Sequence, residues 1–413
     1  MEFPSIFWYT ILWLIFWGAV GALVTPRVYA HKDKFTHQTA MLGAFVGAAF
    51  GPVGLVLLWW FTPPVTAKWL TLTGLVTLLW LSLAFAKADP DNLCVTSGSF
   101  IATQIANGLV IGSIYGLMAL GLTLIFSILG IVSFAHGEFY MLGGMVTYYF
   151  TQVWFPDINP LLGVLVAALF TFALGAIFEL LFLRPMITGQ IERPGEYAIL
   201  VTFGLAFFLQ YTTLTLVGAS PKKVPRFFDY PRITLPSETG NLLKVTPGNL
   251  TFFDTISIPS ARFTAMMIAL ALLFALIYFL YRTWTGKALR AVSQDRQAAA
   301  VTGINPKRMN TLAFALGGML AGISGAALVQ VFSWVPWVGI PASSRSFVII
   351  VLGGMGSLPG AFIGGLVLGV VEALGAGCVP DPNRAAAYLP AYGMIILVLV
   401  LLLKPTGLFG REL

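Results

Sequence analysis

Long apolar runs separated by short polar stretches recur along the whole 413-residue chain. Runs of ~18 residues or more can cross ~30 Å of hydrocarbon as a helix. The pattern therefore predicts one all-α, polytopic transmembrane helical bundle with about eleven or twelve membrane segments. The candidate spans are 5–25, 39–61, 69–86, 101–130, 138–155, 161–183, 198–218, 263–282, 311–332, 347–352 continuing after a break into 359–376, and 388–403. Residues 101–130 are long enough for one tilted helix or two short ones.

Glycines recur at four-residue spacing inside several of these runs. Close approach of two helices in lipid depends on small surfaces at this period. The pattern therefore predicts tight helix packing through these glycines. They are Gly108, Gly112 and Gly116; Gly318 and Gly322; Gly360 and Gly364; and Gly365 and Gly369.

The first of these glycine-rich segments also carries polar side chains. Asn107, Ser113 and Tyr115 offer hydrogen-bonding groups beside bare backbone. One hypothesis is that these residues line a substrate path. The alternative is that polar side chains at such an interface bond only to one another.

Composition agrees with a membrane protein. The chain is 58% hydrophobic and 9% charged, against roughly 25% charged residues in a typical soluble domain. Its formal charge of +7 is spread between the apolar runs, a distribution that reports membrane topology and not nucleic-acid binding. Cys94 and Cys378 lack the spacing of a zinc or redox motif, so no metal or other cofactor is expected. No Lys or Arg precedes the run from Ser5, so we expect a retained membrane helix and not a signal peptide.

The basic loops indicate an orientation. Residues 282–308 hold six Lys and Arg against one acid, Asp295, and two further basic residues flank the end of the last run. Short basic loops stay in the cytoplasm, so we expect both regions there. The stretch GGMGSLPG, residues 353–360, then turns on the same side. Residues 219–262, rich in Pro, Thr and Ser, are expected outside.

Motifs for catalysis are missing from the sequence. The only GK pair, Gly286-Lys287, is followed by Ala288 and lacks the upstream Gly of a phosphate loop. The sequence contains no GxSxG nucleophile elbow and no HExxH zinc motif. We therefore expect neither ATP hydrolysis by this chain nor any other enzymatic activity.

One basic loop contains the signals of a short helix. Ser293 or Asp295 can cap such a helix, Gly303 can end it, and Pro306 prevents its continuation. A short helix of small residues buries little against its own protein, so we infer an outside partner. The alternative is an interfacial helix that lies on lipid headgroups.

Three stretches together carry a resemblance to a known family. They are NGLVIGSIYGLMALGLTLIFSILGIVSFAHGEFYMLGG, GKALRAVSQDRQAAAVTGI and VLGGMGSLPGAFIGGLVLGVVE. In this order they resemble the permease subunit of branched-chain amino acid ABC importers, over about residues 100–410. The resemblance implies the ABC importer permease fold for residues 101–413. Residues 1–100 are then an added three-helix transmembrane extension.

The resemblance also implies partners and a coupling site. A second related permease, or a second copy of this chain, lies alongside; two ATP-binding subunits bind beneath; and a periplasmic solute-binding protein docks from above. The assembly sits among lipid in the bacterial inner membrane. QAAAVTG, residues 297–303, resembles the EAAxxxG motif that contacts the ATPase, with Gln297 in place of the usual Glu. The predicted coupling residues are Arg290, Arg296, Gln297, Ala298, Ala299 and Gly303.

His136 and Glu138 stand side by side between two apolar runs. A carboxylate in a first helical turn faces the positive end of the helix dipole and can accept from unpaired N–H groups. Ionisable groups at membrane depth are equally candidates for gating or substrate passage. Both alternatives, structural and functional, stay open. The other such groups, Glu179, Arg184, Arg345 and Glu372, are expected to form ion pairs between spans.

The substrate implied by the resemblance is a branched-chain or other neutral amino acid. Permeases for urea and short amides are similar, so they remain an alternative. A self-sufficient channel or secondary transporter is the less favoured class, because the paired broken helices of repeated halves are not evident.

Overall fold

In the computed structural model, the described residues are 16–22, 25, 43–44, 46–48, 51–52, 54–55, 94, 97–187, 191–228, 230–237, 240–378, 385–404 and 406–410. The chain divides into two units, residues 1–90 with 398–405 and residues 91–397 with 406–413. The predicted helices over 5–25, 39–61 and 69–86 lie wholly or largely outside the described residues. The described pieces of residues 1–90 are helical.

Eleven α-helices of at least six residues make up most of the described part of the chain from residue 98 onward. They are α1 Gly98–Leu129, α2 His136–Tyr148, α3 Pro160–Phe178, α4 Pro194–Val217, α5 Ser260–Arg282, α6 Trp284–Gln294, α7 Arg296–Val301, α8 Pro306–Leu328, α9 Gly339–Gly353, α10 Leu358–Gly377 and α11 Ala385–Leu403. Two π-helical segments continue α2 and α3, Tyr149–Trp154 and Glu179–Leu183 respectively. The second of them runs on into a four-residue helical turn, Arg184–Ile187. A 3₁₀ turn, Pro336–Val338, precedes α9.

Seven helical stretches among the described residues are long and apolar enough to cross a membrane. They are Gly98–Leu129, Pro160–Met186, Pro194–Val217, Ser260–Arg282, Pro306–Leu328, Pro336–Gly353 and Leu358–Gly377. The chain is thus a multi-pass helical membrane protein. The longest predicted run forms the single helix α1, closed by Gly130 at φ 72°.

Two helices begin earlier than the hydrophobic pattern predicted. Asn305 caps α8 by accepting from the N–H groups of Lys307 and Arg308, so the basic residues lie inside the helix. α9 begins at Gly339 and not near Phe347, because Pro341 is tolerated in its first turn and serines and an arginine had hidden the helical start. α10 follows after a break at 354–357, as predicted.

A four-stranded antiparallel meander lies between α4 and α5, in the segment expected to be an outside loop. Its strands are β1 Ile233–Ser237, β2 Gly240–Val245, β3 Asn249–Phe252 and β4 Ile256–Pro259. The hydrophobic pattern did not predict them. Each strand is only four to six residues long, too short for its alternation to stand out from a polar loop.

The glycine spacing produces a close helix contact within the second unit. α1 packs on α10 with backbone against backbone: a Cβ added at Gly108 would lie 2.6 Å from Val370 Cα, and one at Gly112 would lie 2.8 Å from the carbonyl oxygen of Gly365. On α8, a Cβ added at Gly318 would lie 3.1 Å from the ring of Phe139 on α2, and one at Gly322 would clash with the side chain of Thr171 on α3. The prediction of tight packing through these glycines is confirmed.

The two ends of α1 meet different parts of the chain. At its beginning, Thr103 and Asn107 donate to carbonyl groups of the turn before β4 and of β4 itself. Cys94, just before α1, forms a disulfide with Cys378, just after α10. At the far end, Arg296 of α7 donates to the carbonyl of Ile128. With 32 residues, α1 separates these two ends by ~48 Å, since a helix rises ~1.5 Å per residue.

Candidate functional site

The short loop helix α7 forms as the sequence predicted. Asp295 has an extended backbone, and its Oδ1 accepts from the N–H groups of Gln297 and Ala298 at 2.8 and 3.0 Å. After Val301 the chain turns at Gly303, with φ at 87°, a left-handed conformation that favours glycine. Asp295, and not Ser293, is therefore the cap.

Both arginines predicted to contact a partner form hydrogen bonds within the chain itself. Arg290 donates from Nε to the carbonyl of Leu280 at 3.0 Å and lies over the ring of Tyr281, 4.2 Å from its centre. The Arg296 guanidinium reaches the last turn of α1. Partial burial lowers the pKa of Arg296 from its ordinary value. Both side chains hold α6 and α7 against the helical bundle.

The helix α7 has one inner and one outer face. Ala299, one of the predicted coupling residues, is 4% exposed and belongs to the core of the chain, so it does not share an open face with Gly303. Gln297, Ala298 and Gly303 are exposed. Val301, which was not among the predicted coupling residues, is 88% exposed.

His136 begins α2 and is fully buried. Its Nε2 lies 2.8 Å from the carbonyl oxygen of Met118, and because a carbonyl only accepts, Nε2 carries the proton. Met118 is eleven residues before the end of α1, or ~17 Å at ~1.5 Å per residue. α2 therefore starts deep within the bundle, and His136 joins it to α1.

Glu138 lies in the first turn of α2 and is 2% exposed. The described residues show no backbone N–H that donates to it, so the expected bond to the start of α2 is not observed. Its carboxylate instead lies against Gly339, the first residue of α9, and a Cβ there would clash with it. Glu138 Oε2 has no hydrogen-bond partner among the residues that the structure describes. Within the described part of the chain no Lys or Arg forms an ion pair with Glu138.

A cleft of about 390 Å³ opens beside Glu138, between α4, α9 and the segment that joins α1 to α2. Its walls are mostly apolar, with four phenylalanines and further aliphatic side chains. The polar groups that line it are Ser133, Glu138, Gln210, Ser343 and Ser344. Because Glu138 is nearly inaccessible, it forms part of the floor of this cleft and not its rim.

The three residues proposed to line a path along α1 make other contacts. Asn107 donates to the carbonyls of Thr103 and Ser257 at 3.0 and 3.2 Å, and its oxygen accepts from Arg262. Ser113 bonds within its own helix. All three are buried, and they do not line the cleft beside Glu138.

Tyr115 belongs instead to a buried charged cluster. Its hydroxyl donates to Glu372 Oε2 at 3.2 Å, and Arg345 Nε donates to Glu372 Oε1 at 2.8 Å. The Arg345 guanidinium also lies 5.3 Å from the centre of the Tyr115 ring. The expected ion pair between spans is thus observed for Arg345 and Glu372. Glu179 accepts instead from Thr311.

The chain is similar in sequence to permease components of known transport systems. A family model described as branched-chain amino acid transport system, permease component, matches residues 104–404. The high-affinity branched-chain amino acid transport system permease protein BraD of Pseudomonas aeruginosa is 30% identical over 319 residues, which cover 75% of this chain and 95% of BraD. LivH of Escherichia coli K12, of the same description, is 31% identical over 76% of this chain and 96% of its own length.

A second type of permease with the same description is also similar. LivM of Escherichia coli K12 is 27% identical over 71% of this chain and 67% of its own length. No solved structure matches this chain.

Proposed function

The chain belongs to the family of permease components of branched-chain amino acid transport systems, and from this premise we propose which part of the structure performs which task. The protein is a transmembrane permease subunit of an ABC importer for branched-chain or other neutral amino acids. Nothing in the comparisons favours urea or short amides. The match over residues 104–404 carries this conclusion.

Energy for transport comes, in this proposal, from separate ATP-binding subunits that dock on α7. The sequence has no phosphate loop of its own, and α7 leaves Gln297, Ala298 and Val301 exposed. Arg290 and Arg296 do not belong to that surface. They support it from within the chain, because they bond to Leu280 and Ile128. Through these bonds, a displacement of α7 by the ATP-binding subunit is transmitted to α5 and α1.

The two ends of α1 then lie on opposite sides of the bacterial inner membrane. α7 and the basic residues around it face the cytoplasm by the charge rule. The disulfide between Cys94 and Cys378 lies at the other end, and disulfides persist in oxidising compartments such as the periplasm. Both arguments support the same orientation.

The solute-binding protein docks, we propose, on the end that carries the β-meander. Phe253, in the turn before β4, has a positive φ of 53° and is 65% exposed. A bulky residue in this strained conformation is uncommon and often marks a functional contact. The similarity to both LivH and LivM supports a pair of related permeases, with a second copy of this chain as the alternative.

Copurification tests this function. The tagged chain, expressed with the neighbouring genes of its source, is expected to retain an ATP-binding subunit in detergent. Reconstituted with a binding protein, it is expected to take up leucine only when ATP is present on the side of the ATP-binding subunits. Uptake by the purified chain alone, without ATP, would instead identify a channel or secondary transporter.

A further inference from the structure

The buried carboxylate of Glu138 lacks a compensating partner among the described residues. A carboxylate taken out of water is costly unless it is paired or hydrogen-bonded. Glu138 is 2% exposed, and among the described residues neither an ion pair nor a hydrogen bond is assigned to it. Among the described residues no group compensates an ionised Glu138, so the side chain is either protonated or paired with a cation from outside the chain.

The surroundings of Glu138 restrict what that cation can be. The cleft of about 390 Å³ beside it is lined by Phe134, Phe203, Phe207 and Phe347. This volume lies within the ~300–1,000 Å³ of small-molecule sites, which combine apolar walls with a few placed polar groups. A fitting ligand has a cationic head for Glu138 and a compact apolar body for the phenylalanines.

Further polar groups can hold a second head group. Ser133 is 2% exposed, and its hydroxyl has no hydrogen-bond partner in the described part of the chain. Gln210 and Ser344 also line the cleft. Hydroxyl and amide groups donate to a carboxylate. The cleft thus offers acceptors for an ammonium group at its floor and donors for a carboxylate group nearby.

The geometry of the floor is fixed by three elements. Gly137 donates its N–H to Ser343 Oγ at 2.8 Å, and Ser343 donates to the carbonyl of Phe134 at 3.2 Å. Gly339 leaves the space that the Glu138 carboxylate occupies. The start of α2, the start of α9 and the segment before α2 therefore hold Glu138 in place before any ligand binds.

We propose that this cleft is an amino acid binding site within the permease, in which Glu138 binds the α-ammonium group of a substrate with an apolar side chain. The proposal rests on the proposed function for its substrate class. Substrate released by a binding protein would pause here at membrane depth, recognised by the charge of Glu138 and the aromatic walls. The permease itself would then select its substrate, because an amino acid with a charged side chain would find no polar partner for it among the phenylalanines.

Alkylation of a single cysteine tests the proposal directly. Both native cysteines form the disulfide, and none is free among the described residues, so Ser344→Cys adds one reactive thiol at the cleft. The full-length chain with its copurified partners is placed in lipid nanodiscs and treated with N-ethylmaleimide. Leucine is expected to slow alkylation about tenfold at saturation.

Two analogues separate the ammonium group from the apolar body. 3-Methylbutylamine keeps the amine of leucine without its carboxylate, and it is expected to protect Cys at position 344. 4-Methylpentanoate keeps the carboxylate without the amine and is expected to give no protection. Leu200→Cys, on α4 but outside the cleft and 71% exposed, is the control and should react at the same rate with every ligand.

Two variants connect protection to the site. Glu138→Gln keeps the size of the side chain, and it is expected to need at least tenfold more leucine for the same protection. Phe207→Trp narrows the cleft without touching Glu138 and is expected to abolish protection. If Glu138→Gln fails to fold, the tryptophan variant and the two analogues still decide the question.

Several results would overturn the proposal. Equal protection by 4-methylpentanoate and 3-methylbutylamine would show a cleft that accepts apolar chains of any charge, as a lipid tail would require. Protection unchanged in Glu138→Gln would exclude pairing with the ammonium group. A thiol that is blocked only when the second permease is present, and then regardless of leucine, would show that a partner side chain fills the cleft.

The same preparation keeps the two ideas distinguishable. ATP-dependent leucine uptake without leucine protection of the thiol would leave the transport function standing and remove this binding site. Leucine protection of the thiol without ATP-dependent uptake would leave the binding site standing and remove the proposed transport function.

Discussion

α1 and α4 are both apolar enough to cross a membrane, yet they are packed in opposite ways. In the most apolar stretch of α1 83% of the residues are buried, against 17% in α4. α1 meets α10 through glycines with no room for a Cβ, whereas a Cβ added at Gly204 of α4 would meet no other described residue within 4 Å. In lipid, hydrophobicity does not distinguish an inner helix from an outer one, because both environments are apolar. Close packing of small residues does.

This contrast has a consequence for motion and for ligand binding. The contact of α1 with α10 is rigid, since backbone atoms touch and cannot adjust. α4 borders the cleft beside Glu138 and buries only a small part of its surface among the described residues, so we expect α4, and not α1, to move when a ligand enters. Predictions that compare the two helices test this division.

The largest effect is expected from Gly112→Leu. The nearest atoms to a Cβ at Gly112 are backbone atoms of α10, so the side chain cannot be accommodated and overpacking of ~1–3 kcal/mol or more follows. We expect most of the folded subunit to be lost, as measured by size-exclusion chromatography and thermal unfolding in detergent. The matched control, Gly204→Leu on α4, is expected to change stability by no more than about 0.5 kcal/mol. Equal losses in the two variants would contradict the contrast.

The second prediction compares two ion pairs. Glu372→Gln leaves Arg345 without its buried partner, and breaking a buried pair costs ~3–5 kcal/mol; because the Arg345 side chain is 23% exposed, we expect the low end of that range. Arg193→Gln breaks the exposed pair with Glu196 on α4 and is expected to cost less than about 1 kcal/mol. Thermal unfolding in one detergent measures both. The double variant Arg345→Met with Glu372→Leu should regain part of the loss, since no charge is left unpaired.

The third prediction concerns the disulfide that joins the start of α1 to the end of α10. Cys94→Ser together with Cys378→Ser is expected to lower stability by ~2–4 kcal/mol or less, because the bond mainly restricts the unfolded chain. In intact cells, mild reduction followed by a membrane-impermeant maleimide should label the native cysteines from outside. Labelling only in inverted vesicles would reverse the orientation assigned to α1.

The smallest change in stability is expected on α7, where inner and outer faces can be compared within one turn. Val301→Asp is expected to leave thermal unfolding unchanged and to reduce retention of the ATP-binding subunit about tenfold, or ~1.4 kcal/mol. Ala299→Leu, on the buried face, should instead destabilise the chain itself. Val301→Asp with full retention of the ATP-binding subunit would exclude α7 as the docking surface.

Gly303 needs its own control in such an experiment. Its φ of 87° makes any side chain strained, although no other described residue lies within 4 Å of an added Cβ. Gly303→Asn tolerates this conformation better than most residues, so it separates backbone strain from steric exclusion of a partner. Gly303→Trp is expected to disrupt coupling while Gly303→Asn retains most of it.

Features that depend on neighbouring residues were predictable from the sequence by itself. The membrane runs follow from the length of apolar segments, the close packing of α1 from glycines four residues apart, and α7 from a cap at Asp295 and a turn at Gly303. Each of these is a local pattern, because a helix is decided by residues within a few positions of one another. The short strands of the β-meander were not predicted, because their alternation of apolar and polar residues spans too few positions.

Only the tertiary structure decided what the polar groups inside the membrane do. Tyr115 meets Glu372, 257 positions along the chain, and Ala299 turns inward while Val301 turns outward. Glu138 could be assigned to a helix start from the sequence, but its carboxylate faces a cleft whose walls come from α4 and α9. Such contacts depend on how distant helices pack, and apolar sequence carries little of that information because lipid and protein interior are equally favourable for an apolar side chain.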